Sequence, residues 1–270
     1  PYAALPLISF LQTNRIPVDR LVGCSGGSII AGLWAAGYTP DRIIHEVVPR
    51  LSKSIFKTNW RAVLALANLP FCRIDRKSTL IKPEGLRKLF REFWGDTRLE
   101  DLNPKTIIQV TDFLTGEGLG MERGLLRDCV YASSAVYPYL PPLRMDDRLL
   151  FDGIYSAPIP VLQAARYHHD LIVVVEFHEG FMSDPQGPLE ALTHITRLYS
   201  KTITAGQMAL SIDLCQAEII YLRIRFDHRI SFWNIEELPM ILDAGRQALE
   251  PFKDEFMMLY RQKSCGLPAD

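Results

Sequence analysis

Short, almost uninterrupted apolar runs that alternate with helical stretches are the feature that most constrains the fold of this 270-residue sequence. The runs are rich in β-branched residues, and we expect strands at residues 18–22, 106–110, 149–151, 171–177 and 219–224. Strands of this kind are buried on both faces, and helices between them cover both faces of a mainly parallel sheet. The sequence therefore predicts an α/β protein with three layers, α/β/α.

Helical patterns fill the spaces between these runs. We expect helices at residues 3–13, 28–36, 40–50, 59–68, 83–93, 124–134, 158–167, 189–214 and 236–260. No internal repeat, low-complexity linker or clean break in composition divides the chain. We therefore expect a single domain over residues 1–270.

Composition limits the partners and the compartment. The net charge of −1 gives no general attraction to nucleic acid or anionic membrane, so any lipid-facing surface must be local. The five cysteines show neither C-x-x-C spacing nor Cys/His pairs, which indicates reduced thiols rather than a disulfide framework or a zinc site. We see no signal peptide and no apolar run long enough to span a bilayer. We expect no nucleic-acid partner, no metal or other cofactor, and a cytoplasmic or peripheral-membrane location.

The segment Gly23-Cys24-Ser25-Gly26-Gly27 lies where the first expected strand ends and a helix begins. G-x-S-x-G at such a bend is typical of a nucleophilic serine whose hydroxyl projects from the turn. Gly23 and Gly27 remove Cβ atoms that would clash in the bend, and the helix start offers N–H groups to a developing oxyanion. Ser25 is therefore a candidate nucleophile. From this segment alone a phosphate-binding turn stays open, and Cys24 is a rival whose non-apical position favours packing under the turn.

A serine hydroxyl needs a neighbouring base, and two arrangements are open. Asp152 followed by His178 or His228 would give the Ser–acid–His order of an α/β-hydrolase, although at most one strand precedes Ser25 here. Alternatively, Asp152 acts alone, because it directly follows an apolar strand and precedes Gly153. At the carboxyl edge of a parallel sheet it would meet the elbow, and partial desolvation would raise its proton affinity. A turn aspartate that caps the next helix is the alternative reading of this residue.

Several collinear segments resemble the patatin-like phospholipase family. They are residues 18–33 (VDRLVGCSGGSIIAGL), 35–40 (AAGYTP), 111–117 (TDFLTGE), 132–138 (ASSAVYP), 140–142 (LPP), 150–153 (LFDG), 158–160 (PIP) and 170–175 (DLIVVV). The resemblance covers about residues 3–176. It implies a patatin-like fold and a Ser–Asp dyad that hydrolyses acyl esters of glycerophospholipids or neutral lipids through an acyl-enzyme.

Carried over to this sequence, the resemblance makes Ser25 the nucleophile and Asp152 the base. It implies that Gly26 donates its N–H to the oxyanion. Two groups of residues accompany the dyad, the elbow glycines Gly23, Gly26 and Gly27 and the site-lining residues Cys24 and Gly153. The expected partner is a phospholipid or other acyl-ester lipid, with peripheral membrane contact.

The sequence departs from the family pattern at three points. The family's glycine-rich oxyanion loop precedes its first helix, where this sequence has not yet begun, so we expect that loop to be missing from the chain. Ile154 replaces the second glycine of the D-G-G motif, and Ala157 replaces an asparagine that often precedes the next proline. A catalytically weak scaffold that binds lipid or protein therefore stays open beside the hydrolase, as does a Ser–His–Asp esterase.

Two further segments suggest contact with lipid. Residues 50–61 (RLSKSIFKTNWR) are basic and amphipathic, which is typical of an interfacial helix or lid and also of an ordinary surface helix. The aromatic and proline cluster at residues 137–142 (YPYLPP) is interpreted as a wall of the acyl pocket or as a rigid loop without ligand contact.

Overall fold

A computed structural model describes residues 1–51, 55–60, 79–179, 185, 187–214, 217–228, 230 and 235–264. Its strands are β1 (Arg20–Cys24), β2 (Lys105–Asp112), β3 (Gly118–Met121), β4 (Leu143–Met145), β5 (Arg148–Asp152), β6 (Leu171–Glu179) and β7 (Glu218–Phe226). Its α-helices are α1 (Leu5–Thr13), α2 (Gly26–Ala35), α3 (Pro40–Arg42), α4 (Glu84–Trp94), α5 (Leu126–Ser133), α6 (Val161–Ala165), α7 (Pro188–Leu214), α8 (Leu238–Leu249) and α9 (Lys253–Ser264). Single 3-10 turns are Tyr2–Ala4, Val48–Arg50, Leu99–Asp101, Gly153–Tyr155, Ile235–Glu237 and Glu250–Phe252, and a π-helical turn is Ile43–Val47.

The chain divides into two compact units. The first comprises Pro1–Val18 and Ile159–Asp270, and the second is Asp19–Pro158. In the first unit, β6 and β7 form a parallel pair, and Val161 of α6 packs with Ile172 and Val174 of β6. The expectation of a single domain over residues 1–270 stays a prediction.

The sheet of the second unit is built around β2. β1 pairs with β2 in parallel, β3 and β5 pair with it in the antiparallel sense, and β4 pairs with β5. Helix α4 buries Leu86, Leu89, Phe90 and Phe93, whose spacing follows one helical face, and it packs on α5. Helix α5 in turn packs against β2 and β5.

Strands β1 and β5 meet end to end beside β2. Cys24, the last residue of β1, pairs with Gln109, and Asp152, the last residue of β5, pairs with the next residue of β2, Val110. Strand β3 pairs with both of these β2 residues, so it occupies one side of β2. Because a residue in a sheet has only two neighbours, β1 and β5 share the other side. The carboxyl ends of two strands that run in opposite directions therefore face each other.

The α/β class is confirmed: helices flank a mixed five-stranded sheet and a parallel two-stranded sheet, and parallel residue pairs outnumber antiparallel ones over the two sheets together. The sheet edge differs from expectation in one respect, because the strand that ends at Asp152 runs antiparallel to β2. Strands β3 and β4 were not expected. β3 contains two glycines and β4 has three residues, so neither shows a strand-like apolar run.

The expected helices lie close to the observed ones, with shorter or broken ends. The pattern at 40–50 divides into three helical turns before and around Pro49, and the pattern at 236–260 changes to a 3-10 turn at Pro251. Two expected segments lie partly outside the described residues. These parts are residues 61–68 of the helix expected at 59–68, and residues 52–54 and 61 of the basic segment at 50–61. Within that segment Thr58 forms a β-bridge with Ile81, so its described part is not one continuous helix. Among the described residues, no helix has both the length and the apolarity needed to cross a membrane.

Candidate active site

Ser25 occupies a sharp bend between β1 and α2. Its φ of 51° and ψ of −123° lie in a region that a residue with a side chain rarely adopts. Gly23 makes the bend possible, because a Cβ at that position would lie 2.6 Å from the Cα of Ser28. A Cβ at Gly27 would meet nothing within 4 Å, so the expected steric need for glycine is present at only one of the two positions. The bend leaves Ser25 half-buried.

Two buried serine hydroxyls hold the backbone of Ser25. The Ser25 N–H donates to Oγ of Ser133 at 2.9 Å, and Ser133 Oγ donates in turn to the carbonyl of Gln109 at 2.7 Å. On the other side, Ser28 Oγ donates to the Ser25 carbonyl at 2.6 Å. Both Ser28 and Ser133 are fully buried. A backbone conformation that costs on the order of 1–3 kcal/mol is thus fixed by hydrogen bonds from α2, α5 and β2.

The Ser25 hydroxyl is in direct contact with Asp152. Its Oγ donates to Oδ2 of Asp152 at 2.8 Å, although the two residues are 127 positions apart in the chain. The second carboxylate oxygen, Oδ1, accepts the N–H of Ile154 at 2.9 Å. This contact follows from the end-to-end meeting of β1 and β5. An imidazole of a Ser–His–Asp triad would stand between these two groups, and here they touch.

The environment of Asp152 gives its carboxylate the proton affinity of a base near neutral pH. The side chain is fully buried, and this burial raises the pKa of Asp152 from its usual 3.8 to about 7. Hydrogen bonds from the N–H of Ile154 and the hydroxyl of Ser25 act in the opposite direction on the same pKa. Burial is the larger effect. The carboxylate can therefore accept a proton near neutral pH and release it again.

A buried polar network supports the backbone that carries Asp152. Thr111 Oγ1 donates to the Asp152 carbonyl at 2.9 Å and is 2.7 Å from Ser156 Oγ. Gln109 Nε2 donates to the same Ser156 oxygen at 3.2 Å. Gly153 is needed for this packing, because a Cβ there would lie 2.5 Å from the Gln109 carbonyl and 2.9 Å from Cys24 Sγ. The network ties the turn after Asp152 to β2.

Cys24 lies next to the Ser25–Asp152 pair. Its Sγ is 4.0 Å from Oδ1 of Asp152. Burial first, and the Asp152 carboxylate second, raise the pKa of the Cys24 thiol well above its usual range. Because the thiolate is the nucleophilic form, this environment opposes a nucleophilic role for Cys24. Cys24 and Cys129 are both free thiols.

The structure brings together Ser25, Asp152, Cys24 and Gly153, and places Gly26 and Gly27 at the start of α2. Their functional roles stay predictions. His178 and His228, the two histidines considered for a triad, belong to the first compact unit. Within the described part of the chain, no cluster of three or more His, Cys, Asp or Glu side chains could hold a metal ion.

Sequence reasoning missed the residues that support the pair. They are Ser133, Ser28, Gln109, Thr111 and Ser156. Ser133 ends a helix and Thr111 lies inside a strand, positions at which Ser and Thr are common. For Thr111 and Ser133, the sequence signal was their place inside the family-like segments 111–117 and 132–138. The aromatic cluster at 137–142 is partly a packing element, since Leu140 is buried, whereas Tyr137 is exposed.

The chain matches known proteins in this part of its sequence. The model of the family described as patatin-like phospholipase matches residues 6–165. An uncharacterized NTE family protein of Mycobacterium tuberculosis is 24% identical over 177 residues, which are 66% of this chain and 46% of that protein. The lysophospholipase NTE1 of Scheffersomyces stipitis is 24% identical over 176 residues, 63% of this chain and 10% of that protein.

A third relative also matches this part of the chain and is much longer than the chain. The neuropathy target esterase sws of Drosophila sechellia is 27% identical over 161 residues, 58% of this chain and 10% of that protein. The chain thus spans about half the length of the mycobacterial relative and about a tenth of the fungal and fly relatives.

Proposed function

This chain belongs to the patatin-like phospholipase family, and from that premise we propose that it hydrolyses acyl esters of lipids, with Ser25 as nucleophile and Asp152 as general base. The observation that carries the proposal is the 2.8 Å hydrogen bond from Ser25 Oγ to Asp152. It supplies the two parts that acyl transfer needs, a hydroxyl at a sharp bend and a base within reach of its proton.

The proposed reaction has two halves. In the first, the ionised Asp152 takes the proton of Ser25 as Oγ attacks the ester carbonyl. The tetrahedral intermediate then collapses to an acyl-enzyme, and Asp152 gives the proton to the departing alcohol. In the second half, Asp152 takes a proton from water, the water attacks the acyl-enzyme, and Ser25 regains its proton as the fatty acid leaves. A carboxyl whose pKa is about 7 suits both directions of proton transfer.

Oxyanion stabilisation in this proposal comes from the start of α2. The Ser25 N–H already donates to Ser133, so it does not face the substrate. The first N–H groups of a helix have no acceptor inside the helix, and Gly26 is the first residue of α2. Gly26 N–H is therefore the donor that we assign to the oxyanion, supported by the partial positive charge at the helix start.

The substrate class that we propose is a glycerophospholipid or a lysophospholipid. The family description names a phospholipase, and one relative is named a lysophospholipase. The chain covers only part of each relative, so we assign the ester bond rather than one headgroup. A carboxylic ester of a long-chain fatty acid is the bond common to these lipids.

The dyad can be tested with one pair of aspartate variants. Asp152→Asn and Asp112→Asn both replace a buried carboxylate at the last residue of a strand, and the Ser25 hydroxyl donates to Asp152. We expect Asp152→Asn to lower hydrolysis of lysophosphatidylcholine by at least a hundredfold, because the base is lost. We expect Asp112→Asn to retain most activity, since an amide oxygen can keep its turn hydrogen bonds.

A fluorophosphonate probe completes the test. We expect it to modify Ser25 in the full chain and to leave Ser25→Ala unlabelled. If Asp152→Asn keeps its activity while His178→Asn or His228→Asn loses it, the dyad is wrong and a Ser–His–Asp triad replaces it. If the probe does not label Ser25 and no lipid ester is cleaved, the protein is a binding scaffold and the proposed function fails.

A further inference from the structure

A cluster of apolar side chains on the sheet of the second unit has no role in the proposed chemistry. We define the aromatic face as Phe113, Leu114, Tyr137, Phe151 and Tyr155. The Phe113 ring makes edge contacts with the rings of Phe151 and Tyr137, and Phe151 stacks on Tyr155 at 4.5 Å. Large parts of it face solvent: Leu114 is 71% exposed, and Phe113 and Tyr137 are each 39% exposed. Exposed apolar clusters of this kind mark interaction surfaces.

The tip of the aromatic face is a turn with a satisfied backbone. Leu114 lies between β2 and β3, in the segment from Asp112 to Glu117. Each backbone N–H of this segment has an acceptor: the carbonyls of Glu117, Leu149 and Asp112, the Asp112 carboxylate oxygen Oδ1, and the Thr115 hydroxyl. A polar group that enters an apolar phase without a partner costs several kcal/mol. This turn can therefore enter such a phase without exposing an N–H that lacks a partner.

Contacts among the rings and with the backbone restrict the conformations of the side chains in the aromatic face. Tyr155 Oη donates to the Tyr137 carbonyl at 2.8 Å, which joins two separate loops. The Asp112 carboxylate fixes the turn by accepting the N–H groups of Leu114 and Thr115. Little side-chain or loop entropy is then lost when this surface meets a partner. Aromatic rings with a polar edge are also the side chains preferred at the boundary between lipid and water.

The charges around the aromatic face distinguish among lipid surfaces. Arg144 of β4 pairs with Leu149 of β5, so its side chain lies on the same face of the sheet as that of Phe151. Arg144 is exposed and forms no ion pair with a described residue. Arg148 lies near both Asp112 and Glu117 and offsets their charge in part. The adjacent turn between β4 and β5 adds Asp146 and Asp147, both exposed.

This balance of charges fits a zwitterionic headgroup better than an anionic one. Arg144 can meet a lipid phosphate, while the nearby carboxylates repel a surface that carries net negative charge. A zwitterionic phospholipid offers a cationic group to the carboxylates as well. The complementarity is therefore local and of both signs.

We propose that the aromatic face docks the protein on the surface of zwitterionic phospholipid assemblies, with Leu114 and the ring edges entering the boundary between headgroups and acyl chains. The proposal deepens the proposed function, because it names the surface on which the protein would meet its lipid substrate. Docking itself does not require the dyad, so the two ideas can fail separately.

The test measures vesicle binding in the absence of turnover. In a Ser25→Ala background, Leu114→Asn is compared with Leu214→Asn, which removes the same side chain from a site of similar exposure (64%) at the end of α7. Flotation with phosphatidylcholine vesicles gives the partition coefficient of each variant. We expect Leu114→Asn to lower it by about tenfold or more, because the variant loses the apolar side chain that would be buried among the lipids. We expect Leu214→Asn to match the parent.

Three results would overturn docking on a zwitterionic surface. The first is equal partitioning of the two leucine variants, and the second is binding that occurs only when an anionic phospholipid is added. The third is a dimer in solution that Leu114→Asn dissociates, which would assign the aromatic face to a second copy of the chain.

A soluble ester separates docking from catalysis. With Ser25 intact, we expect Leu114→Asn to hydrolyse p-nitrophenyl butyrate at the parental rate. If the parent protein hydrolyses no ester but its vesicle binding still depends on Leu114, the proposed function fails while the docking proposal stands.

Discussion

At the scale of single residues, Asp152 combines two properties that oppose each other. It is fully buried, which disfavours its charge, and it is held by hydrogen bonds from Ser25 and Ile154, which favour that charge. Burial is the stronger effect, so its pKa is about 7 rather than 3.8. The burial that raises the proton affinity of Asp152 also makes its ionised form a cost to folding.

The first prediction concerns the pH dependence of hydrolysis. A general base acts only when it is ionised, so kcat/KM should rise with pH and reach half of its maximum near pH 7, the pKa of Asp152. The measurement is kcat/KM for a soluble ester from pH 5 to 9. A flat profile that still needs Asp152 would show that another group limits the rate.

The second prediction concerns stability. Between pH 4 and 7 the folded state holds a proton on Asp152 that the unfolded state has released, so stability contributed by this group falls as pH rises. A tenfold change in proton affinity is worth about 1.4 kcal/mol, which makes the loss roughly 4 kcal/mol. Asp152→Asn should therefore unfold at higher urea than the parent at pH 8 and at similar urea at pH 4. A parent that is the more stable protein at pH 8 would contradict this account.

The third prediction concerns Ser133, which accepts the Ser25 N–H and positions the bend. Ser133→Ala leaves that N–H without its buried acceptor, at a cost of about 1–3 kcal/mol. We expect kcat to fall by roughly tenfold or more while KM changes little. Ser134→Ala is the matched control, because Ser134 Oγ donates to the carbonyl of Val130, four residues earlier, instead of supporting Ser25. Equal effects of the two variants would remove Ser133 from the positioning role.

At the scale of elements, the junction of β1 with α2 depends on one glycine more than on the other. In Gly23→Ala the new Cβ would lie 2.6 Å from the Ser28 backbone, so we expect a loss of about 1–3 kcal/mol of stability and impaired hydrolysis. Gly27→Ala has open space and a helical position, and should leave stability unchanged or raise it by up to about 1 kcal/mol. Urea unfolding of both variants measures the difference, and equal losses would contradict the steric account.

Sequence patterns predicted the elements better than their directions. The apolar runs located β1, β2 and β5 to within two residues at most ends, because a buried strand leaves a compositional trace. Nothing in the run Leu149–Phe151 indicates which way that strand lies against β2, so an antiparallel partner could not be foreseen. Ser133 and Thr111 were missed for a related reason: their importance comes from tertiary hydrogen bonds, and these leave no local pattern.

At the scale of the whole molecule, both members of the proposed dyad and all of their described hydrogen-bond partners belong to the second compact unit, Asp19–Pro158. Covalent modification of Ser25 adds contacts only to the groups around it. We therefore expect hydrogen exchange in the labelled full chain to slow mainly within residues 19–158. Mass spectrometry of labelled and unlabelled protein measures this, and equal protection in residues 159–264 would contradict it.

The end-to-end meeting of β1 and β5 makes the proposed hydrolytic activity depend on strand register. Both strands pair with β2: the end of β1 pairs with Gln109, and the end of β5 pairs with the next residue, Val110. A shift of β5 by two residues would leave each side chain on the same face of the sheet. It would move Asp152 about 7 Å along β2, beyond reach of Ser25. A chain emerging from the ribosome would stay inert until its residue 152 had docked in the right place. Hydrolytic activity could then be used to time the final alignment of this sheet during refolding.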